Sequence, residues 1–178
     1  MPAVGESLSL DEIASLLEPQ IPGLRRYAWA LLRDDEAADD LVQDTLEKAI
    51  RRWSQRHRAG DLRAWLFTIQ RNLFIDSVRR RKGRGTQVGI EVLDAVPAAG
   101  EVSDGHAGMR DLLAGLSTLS EEQRSVLILI GVEDFSYEQA AQVLDVPLGT
   151  VMSRLSRARK QLREFMESGH VPTLRRVK

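Results

Sequence analysis

Apolar residues recur along this chain at steps of three and four, and neither half shows the alternation of a half-buried strand. Leu8 to Leu32 carries Ile13, Leu16, Leu17, Leu24, Tyr27, Ala28, Leu31 and Leu32 at helical spacing, with Pro19 and Pro22 placed to break or kink the run. Asp34 to Trp53 carries Ala37, Ala38, Leu41, Val42, Leu46, Ala49 and Ile50. Its acids come early and Lys48, Arg51 and Arg52 late, as the helix dipole favours. Asp61 to Lys82 carries Leu62, Trp65, Leu66, Ile69, Leu73 and Val78. A small bundle is the natural way to bury three such faces.

The last third has a sharper pattern. Ser120 with Gln123 and Ser136 with Gln139 are capping boxes, in which hydroxyl and amide satisfy free backbone N–H groups, so a helix is expected to start after each serine. After Ser136, Ala140, Val143 and Leu144 form an inward face, Asp145 and Val146 fill a turn, and Pro147 suits the first turn of a further helix. On that helix Val151, Leu155, Ala158 and Leu162 form one stripe, which turns Ser153, Ser156, Arg157 and Lys160 roughly outward. From Leu148 to Arg163 the charges are Arg154, Arg157, Arg159, Lys160 and Arg163, with no acid among them. A solvated helix usually mixes signs, so an unrelieved cationic face after a capped helix and a tight turn points to a helix-turn-helix that reads DNA.

Between the halves, Gly83 to Gly108 is rich in glycine and contains Pro97, which rules out a long helix. Gly83, Gly85 and Gly89 lack the GxGxxG spacing and follow no strand, so they are not read as a nucleotide loop. The expected organisation is all-α: a helical domain over 1–82, a flexible linker over 83–108, a second small helical domain over 109–168 and a tail over 169–178.

The 178 residues carry a net charge of only −1, yet the charge is unevenly placed. Asp34, Asp35, Glu36, Asp39, Asp40, Asp44 and Glu47 crowd one segment, while bases gather at Arg79 to Lys82 and from Arg154 onward. Local field decides where a polyanion docks. There is no cysteine, which excludes disulfides and thiolate metal sites, and His57, His106 and His170 lie far apart, so no metal or other cofactor is expected. Neither a membrane span nor a secretory signal is visible, which places the chain in the cytoplasm.

Asn72, Asp76 and Arg79 share one stripe of the third helical stretch and offer amide, carboxylate and guanidinium groups suited to base edges and phosphate. A local salt bridge from Asp76 to Arg79 or Arg80 is the plain alternative. Trp53 and Trp65 suit either base stacking or the core.

Val146-Pro147-Leu148-Gly149-Thr150-Val151, Ser153-Arg154-Leu155 and Arg157-Ala158-Arg159, preceded by Ser120-Glu121-Glu122-Gln123-Arg124, resemble region 4 of bacterial extracytoplasmic-function sigma factors. Asp40-Leu41-Val42-Gln43-Asp44-Thr45 resembles region 2.2 of the same family, and Ala64 to Ile69, Arg71-Asn72-Leu73, Ile75-Asp76 and Arg79 to Lys82 resemble regions 2.3 and 2.4. The resemblance implies a factor that catalyses no reaction, binds core RNA polymerase and directs promoter-specific initiation. Asp40, Gln43 and Asp44 would meet the β′ clamp helices, and region 4 would meet the β flap. Thr150, Ser153, Arg154, Ser156, Arg157, Arg159 and Lys160 would address the minus-thirty-five element; Arg56, His57, Asn72, Asp76, Arg79 and Arg80 would address the minus-ten element, with the Ser54 to Gly60 loop capturing a flipped base. Regions 1.1 and 3 have no counterpart, and an anti-sigma factor is the implied inhibitor. Asp145, Met152 and Ser156 depart from the family's usual residues, which bears on promoter preference. A sigma mimic that sequesters an anti-sigma factor and a stand-alone helix-turn-helix regulator are the alternatives.

Overall fold

A computed structural model describes residues 8–56, 60–83 and 107–168; the 84–106 part of the expected linker, His57 and the tail from Gly169 lie outside them. Among the described residues every regular element is helical. In chain order these are α1 (Leu10–Leu17), α2 (Ile21–Leu32), α3 (Asp35–Arg51), α4 (Leu62–Gly83), α5 (Ala107–Thr118), α6 (Glu121–Gly131), α7 (Tyr137–Leu144) and α8 (Leu148–Glu167).

Local chemistry sets most of the boundaries. Ser9 and Glu12 close a capping box on α1, and a 3-10 turn at Glu18–Gln20, with Pro19 inside it, separates α1 from α2. Arg33 ends α2 in the left-handed region at φ 56°, and Asp34 caps α3 by accepting from the Ala37 N–H. Both capping boxes expected in the second half form, on α6 and on α7. Asp145 ends α7 at φ 52°, a conformation that aspartate tolerates better than most residues. Pro147 sits just before α8, with extended ψ, rather than inside its first turn.

The α1–α4 group packs α2 and α4 on α3, and the α5–α8 group packs α5, α6 and α7 on α8. Gly115 lets α5 approach α8 closely, because a Cβ there would lie 2.5 Å from Leu162 Cδ1. The two groups do not stand apart. α4 packs on α7 and α2 on α6, so one buried cluster runs from Ile13 to Ala158 across both halves.

That contact explains a difference from the single stripe expected on α4. Leu66 and Ile69 are buried as expected, but Phe67, Gln70, Arg71 and Phe74 are buried as well. Lying between α3 on one side and α7 on the other, α4 buries two faces.

The seam is largely polar. Arg124 donates to the carbonyls of Leu116, Leu119 and, across the seam, Ala30, each at 2.9–3.0 Å. Tyr27 Oη donates to Ser125 Oγ at 3.4 Å, Ser125 donates to Glu121, and Glu121 faces Arg71 at 3.2 Å. Glu133, fully buried, receives Arg26 through two bonds at 2.7 and 3.1 Å and is also held by Arg63. Phe67 and Phe135 meet edge-on at 5.0 Å beside it.

Candidate nucleic-acid interface

The outer face of α8 forms as the hydrophobic stripe requires. Val151, Leu155 and Ala158 are buried, and Ser156, Arg157, Arg159 and Lys160 are exposed. Thr150 and Ser153 are half-buried at the start of the helix, where Ser153 Oγ donates to the Thr150 carbonyl at 3.0 Å. Arg154 turns the other way: its guanidinium pairs with Glu122 of α6 at 3.0 Å and its side chain is largely covered. Lys160 reaches Glu164 at 3.7 Å while remaining exposed. An open groove between α7 and α8 is lined by Tyr137, Met152, Ser156, Arg159, Lys160 and Arg163.

On α4 the structure brings Asn72, Asp76, Arg79 and Arg80 together as an exposed strip. Arg80 donates to the Asp76 backbone carbonyl at 3.3 Å, and among the described residues no ion pair joins Asp76 to Arg79 or Arg80. The carboxylate is therefore not consumed by the local salt bridge. Arg56 stands apart from this strip, 5.2 Å over the Trp53 ring and donating to the Gly60 carbonyl at 3.1 Å. Trp53 and Trp65 meet edge-on at 6.1 Å, each half-buried against the core. His57 lies outside the described residues.

Asp40, Gln43 and Asp44 are all exposed on α3. Gln43 donates to Glu47 at 3.3 Å, whereas Asp44 and Glu47 share with Lys48, Arg51, Arg52, Leu73 and Arg80 an open groove between α3 and α4. Acidic and basic strips thus run side by side on the N-terminal half, one on α3 and one on α4.

Residues 109–162 match the family model for region 4 of sigma-70, and residues 17–70 match the model for the sigma2 domain of PhyR. The ECF RNA polymerase sigma factor EcfG of Rhodopseudomonas palustris is 37% identical over 85% of this chain and 83% of its own length. The chain belongs to the extracytoplasmic-function sigma factors. The family member SigE of Mycolicibacterium smegmatis is 34% identical over 92% of this chain and 65% of its own length. The co-crystal structure of the sigma factor RpoE with the anti-sigma factor NepR from Bartonella quintana contains a chain 37% identical to this one. The match covers 90% of this chain and 100% of that one, with a TM-score of 0.74. As an extracytoplasmic-function sigma factor, the protein is a transcription regulator that acts with RNA polymerase in promoter-specific initiation.

The residues that join the halves escape a reading by pattern. Glu133 and Arg124 are charged, hence expected at the surface; Glu133 is bonded wholly from the other half, and Arg124 is shared between its own Leu116 and Leu119 carbonyls and Ala30 across the seam. Burial lowers the Arg124 pKa, with the nearby Arg33 charge adding to the effect, while the hydrogen bond from Arg26 to Glu133 raises that of Arg26.

Proposed function

We propose that α8 enters the major groove of the minus-thirty-five element while α4 and the loop before it open and read the minus-ten element. The observation that carries this is the pairing, in one chain, of an α8 outer face that is free of acids from Leu148 to Arg163 with the exposed Asn72, Asp76, Arg79 and Arg80 strip on α4. Ser153, Ser156 and Arg157 serve base contacts, and Arg159 and Lys160 serve phosphates. Arg154 braces α8 on α6 and joins the phosphate contacts only if it leaves Glu122. Asp40, Gln43 and Asp44 present the acidic face of α3 to the β′ clamp helices, and the α5–α8 unit meets the β flap. The domains divide at 1–82, 83–108, 109–168 and 169–178. The chain works in the cytoplasm; among the described residues no helix is long and apolar enough to cross a membrane. An anti-sigma factor holds it inactive, a reading supported by its likeness to the sigma factor crystallised with NepR.

Run-off transcription with core RNA polymerase tests this. The wild-type chain is expected to confer initiation at its own promoters, and Arg157→Glu to reduce it about tenfold or more, as removal of one base-reading interaction worth about 1–3 kcal/mol implies. Unchanged start sites and footprint with Arg157→Glu would remove Arg157 from the reading face. The match of residues 17–70 to the PhyR model favours the sigma-mimic reading, which predicts anti-sigma binding without run-off product; the retained basic face of α8 opposes it.

A further inference from the structure

Glu133 is the one described acid that is fully buried, and its charge is neutralised entirely from the other half. Arg26 of α2 grips it with Nε and Nη2, the planar fork that fits a carboxylate or a phosphate alike. Arg63, in the first turn of α4, binds the same Oε2 that Arg26 Nη2 reaches. The floor of the seat is backbone: a Cβ on Gly23 would stand 2.7 Å from Oε2, so only glycine leaves room for the anion. Arg63 is also held over the Phe67 ring at 5.6 Å, an interaction within the N-terminal half that survives when Phe135 and Glu133 depart.

When region 4 moves away, Glu133 leaves with it, and two guanidinium groups remain aimed at one point beside α4. Like charges so placed attract an anion, and Arg63 lies at the start of α4, three residues after the loop ending at Gly60, on the opposite face of the helix from the exposed strip of Asn72, Asp76, Arg79 and Arg80. We propose that Arg26 and Arg63 form a seat for a backbone phosphate of single-stranded DNA, and that Glu133 occupies this seat while the two halves are closed. This rests on the promoter-opening role given to α4 above. It adds a self-masking step: the chain holds its own phosphate mimic, so closing hides a DNA-binding group and opening exposes it.

The test is anisotropy of a labelled dT12 single strand with the full-length chain. Glu133→Gln is expected to raise affinity about tenfold by removing the negative charge that competes for the seat, whereas Arg26→Gln and Arg63→Gln lower it below wild type. Combining Arg63→Gln with Glu133→Gln abolishes the gain, and the slope of log affinity against log salt falls by about 0.7 for each phosphate no longer neutralised. If the arginine variants instead raise affinity as Glu133→Gln does, the arginines serve only to hold the halves closed and the proposal is overturned; indifference of dT12 to all of them overturns it equally. Helical circular dichroism verifies each variant. Should Glu133→Gln not fold, Arg63→Lys, which keeps the charge and removes the fork, must bind between wild type and Arg63→Gln. Run-off transcription is read in parallel: wild-type product with dT12 binding indifferent to the arginines sinks the seat alone, while absence of product sinks the promoter role itself.

Discussion

Tyr27 shows how far burial at the seam reaches into the chemistry of a single group. Desolvation pushes its phenol up to about 12 from 10.0, with the Ser125 hydrogen bond opposing the shift only in part. Its folded pKa is raised, so the stability it contributes is intact below about pH 10. Between there and about pH 12 the unfolded chain releases a proton that the folded chain keeps, and stability falls as pH rises. In a Tyr137→Phe background, which leaves Tyr27 as the sole tyrosine, tyrosinate absorbance is expected to appear only near pH 12 or with unfolding. A signal with a midpoint near 10 in the folded protein would show that the phenol is reached by water. Arg154 shows the limit of periodicity at this scale. Its position along α8 places it on a cationic helix, but Glu122 across the α6 packing decides where its guanidinium goes.

Elements were more legible than side chains, for reasons particular to each. The capping boxes at Ser120 and Ser136 are local hydrogen-bond pairs that need no tertiary partner, so their sequence pattern carries through to structure. Pro19 marks the break between α1 and α2 because its ring cannot continue the helix ladder. The second buried face of α4 was not legible, since Gln70 and Arg71 are polar: Gln70 Nε2 donates to the Leu24 carbonyl of α2 at 3.0 Å, and Arg71 faces Glu121 across the seam. Helix starts should therefore respond to substitution one by one. Ser136→Ala is expected to destabilise the protein by about 1 kcal/mol through loss of the bond to the Gln139 N–H, measured by urea denaturation. No change in midpoint would mean that the cap is satisfied equally well by water.

At the scale of the whole molecule, the closed arrangement and the promoter cannot be matched directly. A packed chain of this length is about 40 Å across. Elements centred at minus ten and minus thirty-five lie roughly 25 base pairs apart, about 85 Å of duplex at 3.4 Å per base pair. The halves must separate on the way to the holoenzyme: the polar bonds of the seam can be re-satisfied by water, whereas the apolar contacts across it, such as Phe67 on Phe135, are given up. Because the chain has no cysteine, Glu36→Cys with Gln142→Cys gives a specific label pair, one on each half. Energy transfer between them is expected to be high in the free protein and to collapse on addition of core RNA polymerase. Transfer that stays high in the transcribing complex would refute opening. Composition and spacing could not reveal the closed form, because a seam of charged side chains looks like two solvated surfaces when read from sequence.

The absence of a side chain at Gly23 has a consequence for how such a protein changes over generations. Position 23 touches Glu133 at the seam, on the floor of the seat proposed for a DNA phosphate, and lies outside the α8 reading face and the acidic face of α3. A methyl group there would press on the buried carboxylate that two arginines hold in place, loosening the closed form and crowding the same anion seat, while leaving the α8 reading face intact. Heritable changes in basal activity can thus arise by a single glycine-to-alanine step, and an acid at 133 and a glycine at 23 are expected to be gained and lost as a pair.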